Sequence, residues 1–511
     1  MSPESSSVRP LICIPITDND AEAFLKSVGE AADFADAIEL RTDYLMDSNP
    51  IAILKAVGSL EKVAQKPLIL TSRPREQGGF QEIDFRTRQT FWENFDDWDR
   101  IAFADIELDM VEHLMQTTFP LPWEKVICSW HNFDETPDDI EKIFDRIART
   151  PSAVVKIAAK ANRLNDCLKI FDLIDRAKSL SPPRQVIALG MEMPGVMTRI
   201  LALSRGAMLT FGSLRRGAES ASGQPTADEL KNLYRADKLT RDSLVMGVIG
   251  HPIGHSRSPL IHNTALAALN VDGVYLPLEV DDVNNFVRDF VRPATRRMDW
   301  NLRGLSVTIP HKLSILPHLD FIDATAKAIG AVNTVVIEGN ELHGYNTDVA
   351  GAMKPLEDLL SVRDARAAVI GAGGAARAIV YGLKQRGADV TIYARDVAKA
   401  QALADEFKVT AVSLTDFSGN LDLVINCTPV GMKGRDELLS PLPAEHLHKV
   451  KLVYDLIYNP LETPLLEDAK ATGCQTLGGM AMLISQAAEQ FRLWTGKQMP
   501  MDLITRALTA R

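Results

Sequence analysis

The sequence predicts an α/β protein of two unlike parts: a closed (β/α)8 barrel, then a two-subdomain unit that carries a dinucleotide-binding sheet. Three observations carry this. Eight short apolar runs alternate with amphipathic stretches over the first half, the pattern of parallel strands covered by helices. A G-x-G-x-x-A string, Gly371, Gly373 and Ala376, stands between an apolar strand and a helical pattern, as a pyrophosphate-binding turn requires. Residues 244–263, LVMGVIGHPIGHSRSPLIHN, separate the two halves: a strand breaks at Gly250, and Pro259 opens a helix.

A chain of 511 residues exceeds what one core holds, so two to four domains are expected. The net charge of −11 argues against nucleic-acid or anionic-membrane partners, while a local arginine cluster still allows an anionic small substrate. Cys13, Cys128, Cys167, Cys427 and Cys474 form no CxxC pair and sit mostly in apolar runs, so they read as reduced core thiols of a cytoplasmic protein. No run reaches transmembrane length. Residues 1–9 are short and polar, a loose disordered tail and no secretory signal; a plastid location stays open beside the cytoplasm.

The barrel is expected over residues 10–235. Its strands are LICIPI, AIELR, PLILTSR, IAFADIEL, KVICSWH, AVVKIAA, RQVIALGM and AMLTFGSL. Eight repeats in about 225 residues match the barrel in number and size; an open doubly wound sheet is the alternative. Polar residues gather at the strands' C-terminal ends, namely Glu39, Arg41, Arg73, Glu107 and His131, where such a barrel forms its mouth. Lys156 stands among Val154, Val155, Ile157 and Ala158. Burial there favours an uncharged amine, a nucleophile toward ketones; an ion pair with Glu107 or Glu39 is the structural alternative. His131, on the neighbouring strand, is the natural proton carrier. Arg41, Arg73 and Arg199 at the same rim suit a carboxylate-bearing substrate.

Residues 228–242 are charged and helix-prone rather than Gly/Ser-rich, so a short connection at 236–243 should join the halves directly. Of Ser256 and Ser258, one is expected to cap the helix and the other to meet a ligand. Further on, Thr308 and Lys312 end a strand, and Asn333, Asn346 and Asp348 fall in turns. Alone, Lys312 reads as a solvated lysine and Asp348 as a helix cap; together, a Lys–Asp pair lining a cleft can pass one proton. In the nucleotide segment the second strand ends not in a carboxylate but in Arg395, with Lys399 four residues on. Cations there favour a 2′-phosphate, hence NADP; Asp396 points the other way unless it caps the next helix. A last long helix, 479–495, carries Gln486 and should pack back on the first subdomain. His251 and His255 lack a nearby carboxylate or thiol, so no metal site is expected.

At this level of detail two families emerge. The segments AIELRTD, ILTSRPREQGG, ADIEL, VICSWHN, VVKIA, GVMTR and SASGQ resemble type I 3-dehydroquinate dehydratase. The resemblance implies a Schiff-base lysine at Lys156, a general acid/base at His131, and substrate contacts from Glu39, Arg41, Arg73, Arg199, Ser220 and Gln224. The segments GHPIGHSRSP, VTIPHK, AVNT, NTD, GAGGAAR, NCTPVGM and GGMAMLISQA resemble shikimate dehydrogenase, with a Rossmann nucleotide-binding subdomain. That implies a catalytic pair of Lys312 and Asp348. Ser256, Ser258, Thr308, Asn333, Tyr458 and Gln486 would hold shikimate. Gly371, Ala372, Gly373, Gly374, Ala375, Arg395, Lys399, Thr428 and Gly479 would hold NADP. The implied subdomains are 244–350 with 481–511 for substrate and 351–480 for nucleotide.

Three departures stand out. Gln77 replaces the glutamate usual before Gly78-Gly79, so His131 must be tuned by another group, with Glu76 the expected candidate. Trp130 replaces a polar residue before the histidine. Tyr393–Asp396 reads Tyr-Ala-Arg-Asp where many relatives have Asn-Arg-Thr. The combined reading is a bifunctional enzyme that dehydrates 3-dehydroquinate and reduces 3-dehydroshikimate to shikimate. The rivals are a second half acting on quinate with NAD, and a barrel kept as a non-catalytic scaffold.

Overall fold

The computed structural model describes residues 11–45, 50–63, 65–418, 420–434 and 436–509; the expected tail at 1–9 lies outside them. The chain divides into two compact units, one of residues 1–256, 272–291 and 295–302, the other of 257–271, 292–294 and 303–511.

In the first unit, eight parallel strands follow the order β7-β6-β5-β4-β3-β2-β1-β8. They are β1 (Leu11–Ile16), β2 (Ala37–Arg41), β3 (Leu68–Thr71), β4 (Phe103–Glu107), β5 (Val126–Asn132), β6 (Val154–Lys160), β7 (Gln185–Met191) and β8 (Leu209–Phe211). Six lie wholly within one of the eight apolar runs, and β5 and β6 each overrun theirs by one residue, Asn132 and Lys160. β1 pairs with β8, Ile12 opposite Thr210, and the Met208 N–H donates to the Val186 carbonyl at 2.9 Å. That bond brings the chain entering β8 beside β7 and closes the ring, which excludes the open sheet. Cys13, Ile69, Ile127, Val154 and Ile187 pack together inside it, filling the barrel as inward-facing residues must.

Residues 228–242 do not continue a long helix. They hold one π-helical turn, Glu229–Leu233, and then turns. β9 (Leu244–Gly250) pairs in parallel with β10 (Gly273–Glu279), and both group with the barrel. Bonds explain this grouping. Arg235 Nη2 donates to the Gly273 carbonyl at 2.8 Å, Asn165 Nδ2 donates to Asp289 at 2.7 Å, and the buried Arg205 donates to the Asp299 carbonyl.

In the second unit, β11 (Asn301–Val307) runs antiparallel to β13 (Thr334–Glu338), which pairs with β14 (Glu341–Tyr345); β12 (Phe321–Ile322) flanks β14. The nucleotide sheet comprises β15 (Arg366–Ile370), β16 (Asp389–Ala394), β17 (Thr410–Ser413), β18 (Leu423–Asn426), β19 (Leu452–Asp455) and β20 (Gln475–Gly478). All its pairings are parallel, in the order β17-β16-β15-β18-β19-β20. This places the switch point between β15 and β18, where such sheets bind dinucleotides. The helix Gly479–Thr495 packs on the helix Asp348–Glu357 so closely that a Cβ on Gly351 would stand 2.7 Å from the Gln486 Cβ. Among the described residues no helix is long and apolar enough to cross a membrane.

Candidate active sites

The barrel mouth opens onto about 450 Å³ of empty space lined by Glu39, Arg41, Arg73, His131, Lys156 and Arg199, among others. Strand alternation puts Glu39 and Arg41, and likewise Asp105 and Glu107, on the interior face. Lys156 points into this mouth, not at the outer helices. Its Nζ lies 2.5 Å from Asp105 Oδ2, 3.5 Å from Glu39 Oε1 and 4.4 Å from the centre of the Phe211 ring. The wall around the amine is not apolar throughout: it supplies two carboxylates. Of the two partners foreseen, Glu39 is present and Glu107 is not; Asp105 takes its place. Glu39 Oε1 also accepts from Thr71 Oγ1 at 2.8 Å.

Arg73 is the hub. Its Nη2 lies 2.8 Å from Asp105 Oδ2, and its Nη1 meets Ser129 Oγ at 3.2 Å and His131 Nδ1 at 2.9 Å. Arginine only donates, so His131 Nδ1 accepts and a neutral ring carries its proton on Nε2. Burial, then the charges of Arg73 and Lys156, hold the imidazole well below its usual range, against the pull of Asp105. Glu76 does not swing in to tune the ring. It is exposed and lies 3.7 Å from Arg88, which prefers Asp109 at 2.8 Å. Gln77 bonds the backbone of His131, its Oε1 accepting the N–H at 2.9 Å. Glu107, shared by Arg73 and Arg88, is pushed up to about 7 by burial despite both arginines.

Arg41 is held by Asp43 through two bonds, 2.9 and 2.7 Å. Burial works against its charge, but Asp43 keeps it above the ordinary arginine range. Arg199 differs. It is buried, its Nε and Nη2 have no hydrogen-bond partner among the described residues, and burial pushes it down to about 10. A buried cation without a counter-ion among the described residues asks for an anion. Ser220 donates to Gln224 Oε1 through its N–H (2.8 Å) and its hydroxyl (3.1 Å), and Gln224 Nε2 has no partner among the described residues.

The second unit brings Lys312 and Asp348 into a direct ion pair. Asn333 organises it. Its Nδ2 donates to Asp348 Oδ1 at 2.8 Å and lies 3.1 Å from Gln486 Oε1, and its Oδ1 accepts the Thr347 N–H at 2.8 Å. The Val332 N–H donates to the Lys312 carbonyl at 2.9 Å, tying the Asn333 strand to the lysine. Thr308 precedes this turn, its carbonyl accepting the His311 N–H at 2.8 Å. Tyr458 is raised by burial, with Arg257 opposing. Neither serine is the expected helix cap: the cap position is Arg257, without a side-chain cap bond, and Ser258 is the first helical residue. Ser256 belongs to the first unit.

The comparisons with known proteins match both halves of the chain. The type I 3-dehydroquinase family matches residues 12–241, the shikimate dehydrogenase substrate binding domain 248–335, shikimate / quinate 5-dehydrogenase 354–431, and the shikimate 5'-dehydrogenase C-terminal domain 479–509. A chloroplastic bifunctional 3-dehydroquinate dehydratase/shikimate dehydrogenase of Arabidopsis thaliana is 34% identical over 526 residues, covering 96% of this chain and 83% of its own. This chain belongs to the bifunctional 3-dehydroquinate dehydratase/shikimate dehydrogenases. It is both a lyase and an NADP-dependent oxidoreductase. A shikimate dehydrogenase (NADP(+)) of Maridesulfovibrio salexigens is 42% identical over 270 residues, 52% of this chain and 94% of that one. The solved dehydroquinate dehydratase and shikimate dehydrogenase from S. pombe covers 99% of both chains at 25% identity, with a TM-score of 0.44.

The bifunctional enzyme's nucleotide segment fits NADP. Gly371 has φ +106°, and a Cβ there would press 3.0 Å from Thr428 Cγ2. Around Gly373 nothing lies within 4 Å of a Cβ position, so a pyrophosphate can approach the backbone at the start of the helix Gly374–Gln385. Ala372 and Ala375 are half-buried beside it. Arg395 and Lys399 are exposed past β16, and Asp396 is spent as a cap, accepting the Lys399 N–H at 3.0 Å. Gly479 has a packing reason as well: a Cβ would meet the Leu456 carbonyl at 2.1 Å.

Sequence reasoning missed Asp105, Ser129 and Gln490. Asp105 had a signal, since it lies two residues before Glu107 on the same strand face. Gln490 had one too, one helical turn after Gln486. It accepts from Ser306 Oγ at 2.7 Å and donates to Thr334 Oγ1 at 3.0 Å.

Proposed function

We propose that Lys156 and His131 carry the dehydration, and that Lys312 and Asp348 carry the reduction. The observation that supports the first is Lys156 Nζ directed into a mouth that also holds His131 and the unpaired Arg199. Arg199 would take the carboxylate of 3-dehydroquinate, with Glu39, Arg41, Ser220 and Gln224 meeting its hydroxyls. The lysine ammonium gives up a proton to become the amine that adds to the ketone carbon, and a proton goes out with the carbinol hydroxyl as water, so that ammonium and ketone become iminium and water. The adjacent C–H bond then breaks, its electron pair entering the iminium to give an enamine and its proton passing to neutral His131. The enamine expels the hydroxyl, which leaves as water with a proton from the histidine, a weak base that returns protons readily. Hydrolysis frees 3-dehydroshikimate and restores Lys156.

In the second site NADPH, when bound, supplies the hydride. Lys312 would hand a proton to the carbonyl oxygen as it becomes a hydroxyl, Asp348 would keep the ammonium aimed, and Asn333 would hold Asp348. Ser256, Ser258, Thr308, Tyr458 and Gln486 would seat the ring. We assign the dehydratase to residues 10–235, shikimate binding to 244–350 with 481–511, and nucleotide binding to 351–480. The cytoplasm or a plastid suits the enzyme.

A coupled assay tests the assignment. Lys156→Ala should abolish dehydration and spare reduction, and Lys312→Ala should do the reverse. Either variant keeping both activities overturns it. Comparing kcat/KM for shikimate with NADP and quinate with NAD tests the substrate preference, which should favour the former.

A further inference from the structure

The proposed dehydratase chemistry leaves one close neighbour of the nucleophile without a role. Asp105 lies on β4, fully buried, with Oδ2 2.5 Å from Lys156 Nζ and 2.8 Å from Arg73 Nη2. Its Oδ1 has no hydrogen-bond partner among the described residues. Glu39 is a poorer partner for the amine, 3.5 Å away with the same oxygen engaged by Thr71. We infer that Asp105 is a catalytic residue of the dehydratase: its carboxylate stays against Nζ as the ammonium gives way to the iminium, and holds the positive charge there while elimination proceeds.

An iminium keeps its positive charge and one N–H on the atom that the ammonium occupied. A carboxylate in contact with the ammonium is thus already placed for the iminium, with no reorganisation. An opposite charge at this range favours the protonated, electron-withdrawing iminium over the neutral imine. The other groups facing Nζ do not replace it. Arg73 and His131 bring positive charge or none, Cys13 on β1 is a thiol held protonated by burial, and Phe211 presents its ring face. Among the described residues only Glu39 adds a second negative charge within 4 Å of Nζ. Burial disfavours the Asp105 anion, yet Arg73 and Lys156 outweigh it and keep the carboxyl ionised. Through Arg73 the same carboxylate is linked to His131 Nδ1, so one anion spans the electron sink and the group that moves the proton.

This inference rests on Lys156 being the Schiff-base lysine, and the test separates the two ideas. The full-length chain, with 3-dehydroquinate, is trapped with borohydride and the mass of Lys156 peptides is read. No added mass on the unsubstituted chain overturns the Schiff-base reading itself. Asp105→Asn should still trap substrate, because addition needs only a free amine. Its dehydration kcat should fall roughly 100-fold, and the alkaline limb of its kcat profile should move to lower pH by about 1 to 3 pH units. An unmoved alkaline limb in a folded Asp105→Asn chain overturns the role, whatever the size of the rate loss. If that chain does not fold, Asp105→Glu decides. Keeping the charge but misplacing it should leave the limb in position and cut kcat; an unchanged kcat overturns the role.

Discussion

The side chain of Gln77 accepts the backbone N–H of His131 at 2.9 Å, so the residue that stands where the family has a glutamate fixes the strand. The ring's own partner is Arg73. Gln77→Glu would bring a carboxylate beside the imidazole, and a negative neighbour favours imidazolium. The acid limb of dehydratase kcat/KM should therefore rise in pH, while Gln77→Ala should leave it in place and cost about 0.5 to 1.5 kcal/mol of barrel stability through the lost bond. pH–rate profiles and urea unfolding check the two effects.

His131 itself is held well below the usual histidine range by burial and by Arg73 and Lys156. It stays unprotonated where an ordinary histidine, near 6.5, is half charged. Dehydration should thus persist below pH 6, with the acid limb of kcat/KM under 6.5 in the free enzyme. A limb at or above about 6.5 would contradict the environment described.

Asn333 holds both Asp348 and Thr347. Asn333→Ala leaves the Lys312–Asp348 pair without its anchor, and should lower reductase kcat by about 10 to 100-fold with dehydration untouched. Gln490→Ala acts one bond further out, through Asn333 and Thr334, and should cost less. Steady-state kinetics of both activities on each variant rank the effects.

For the cofactor, Arg395→Ala and Lys399→Ala remove exposed cations past β16. Each charged contact to a 2′-phosphate is worth about 1.5 to 3 kcal/mol, so KM for NADP should rise by roughly 10 to 150-fold with little change for NAD. Titrating both nucleotides against both variants reads this directly.

His262 is fully buried beside Phe491 and Trp494, and burial pushes it down to about 3, with Gln490 opposing. Its folded pKa is depressed, so the stability it is linked to is intact above about 6.5 and is lost as pH falls toward about 3, up to the order of 5 kcal/mol. His262→Phe should remove part of this acid lability, and thermal melts between pH 4 and 7 should show a flatter profile.

The barrel was legible because its strands are buried on both faces and so read as unbroken apolar runs. Each observed strand lies inside one of them or overruns it by a single residue. The nucleotide segment was legible because glycines at Gly371 and Gly373 answer a backbone requirement that few other contexts impose. What the sequence concealed was pairing. Nothing local distinguishes Asp105 from Glu107, yet only Asp105 reaches Lys156, because neighbouring strands set which side chains meet. Ser129, directly opposite Lys156 in register, and Gln490, far along the chain from Asn333, entered their sites for the same reason. The helix start at Ser258 misled because Ser-Arg-Ser-Pro suits a serine cap in isolation, whereas the chain places Arg257 at that position.

Arg235, Asn165 and Arg205 fasten the barrel to β10 and to the residues soon after it. The peptide link at residues 236–243 is therefore not what keeps these pieces together. A clip there by a protease would leave a nicked but undivided body on a sizing column. Genetic separation at the same point would strip Asp289 and Asp299 of their counterparts, and two independently expressed halves should be poorer proteins than the one long chain.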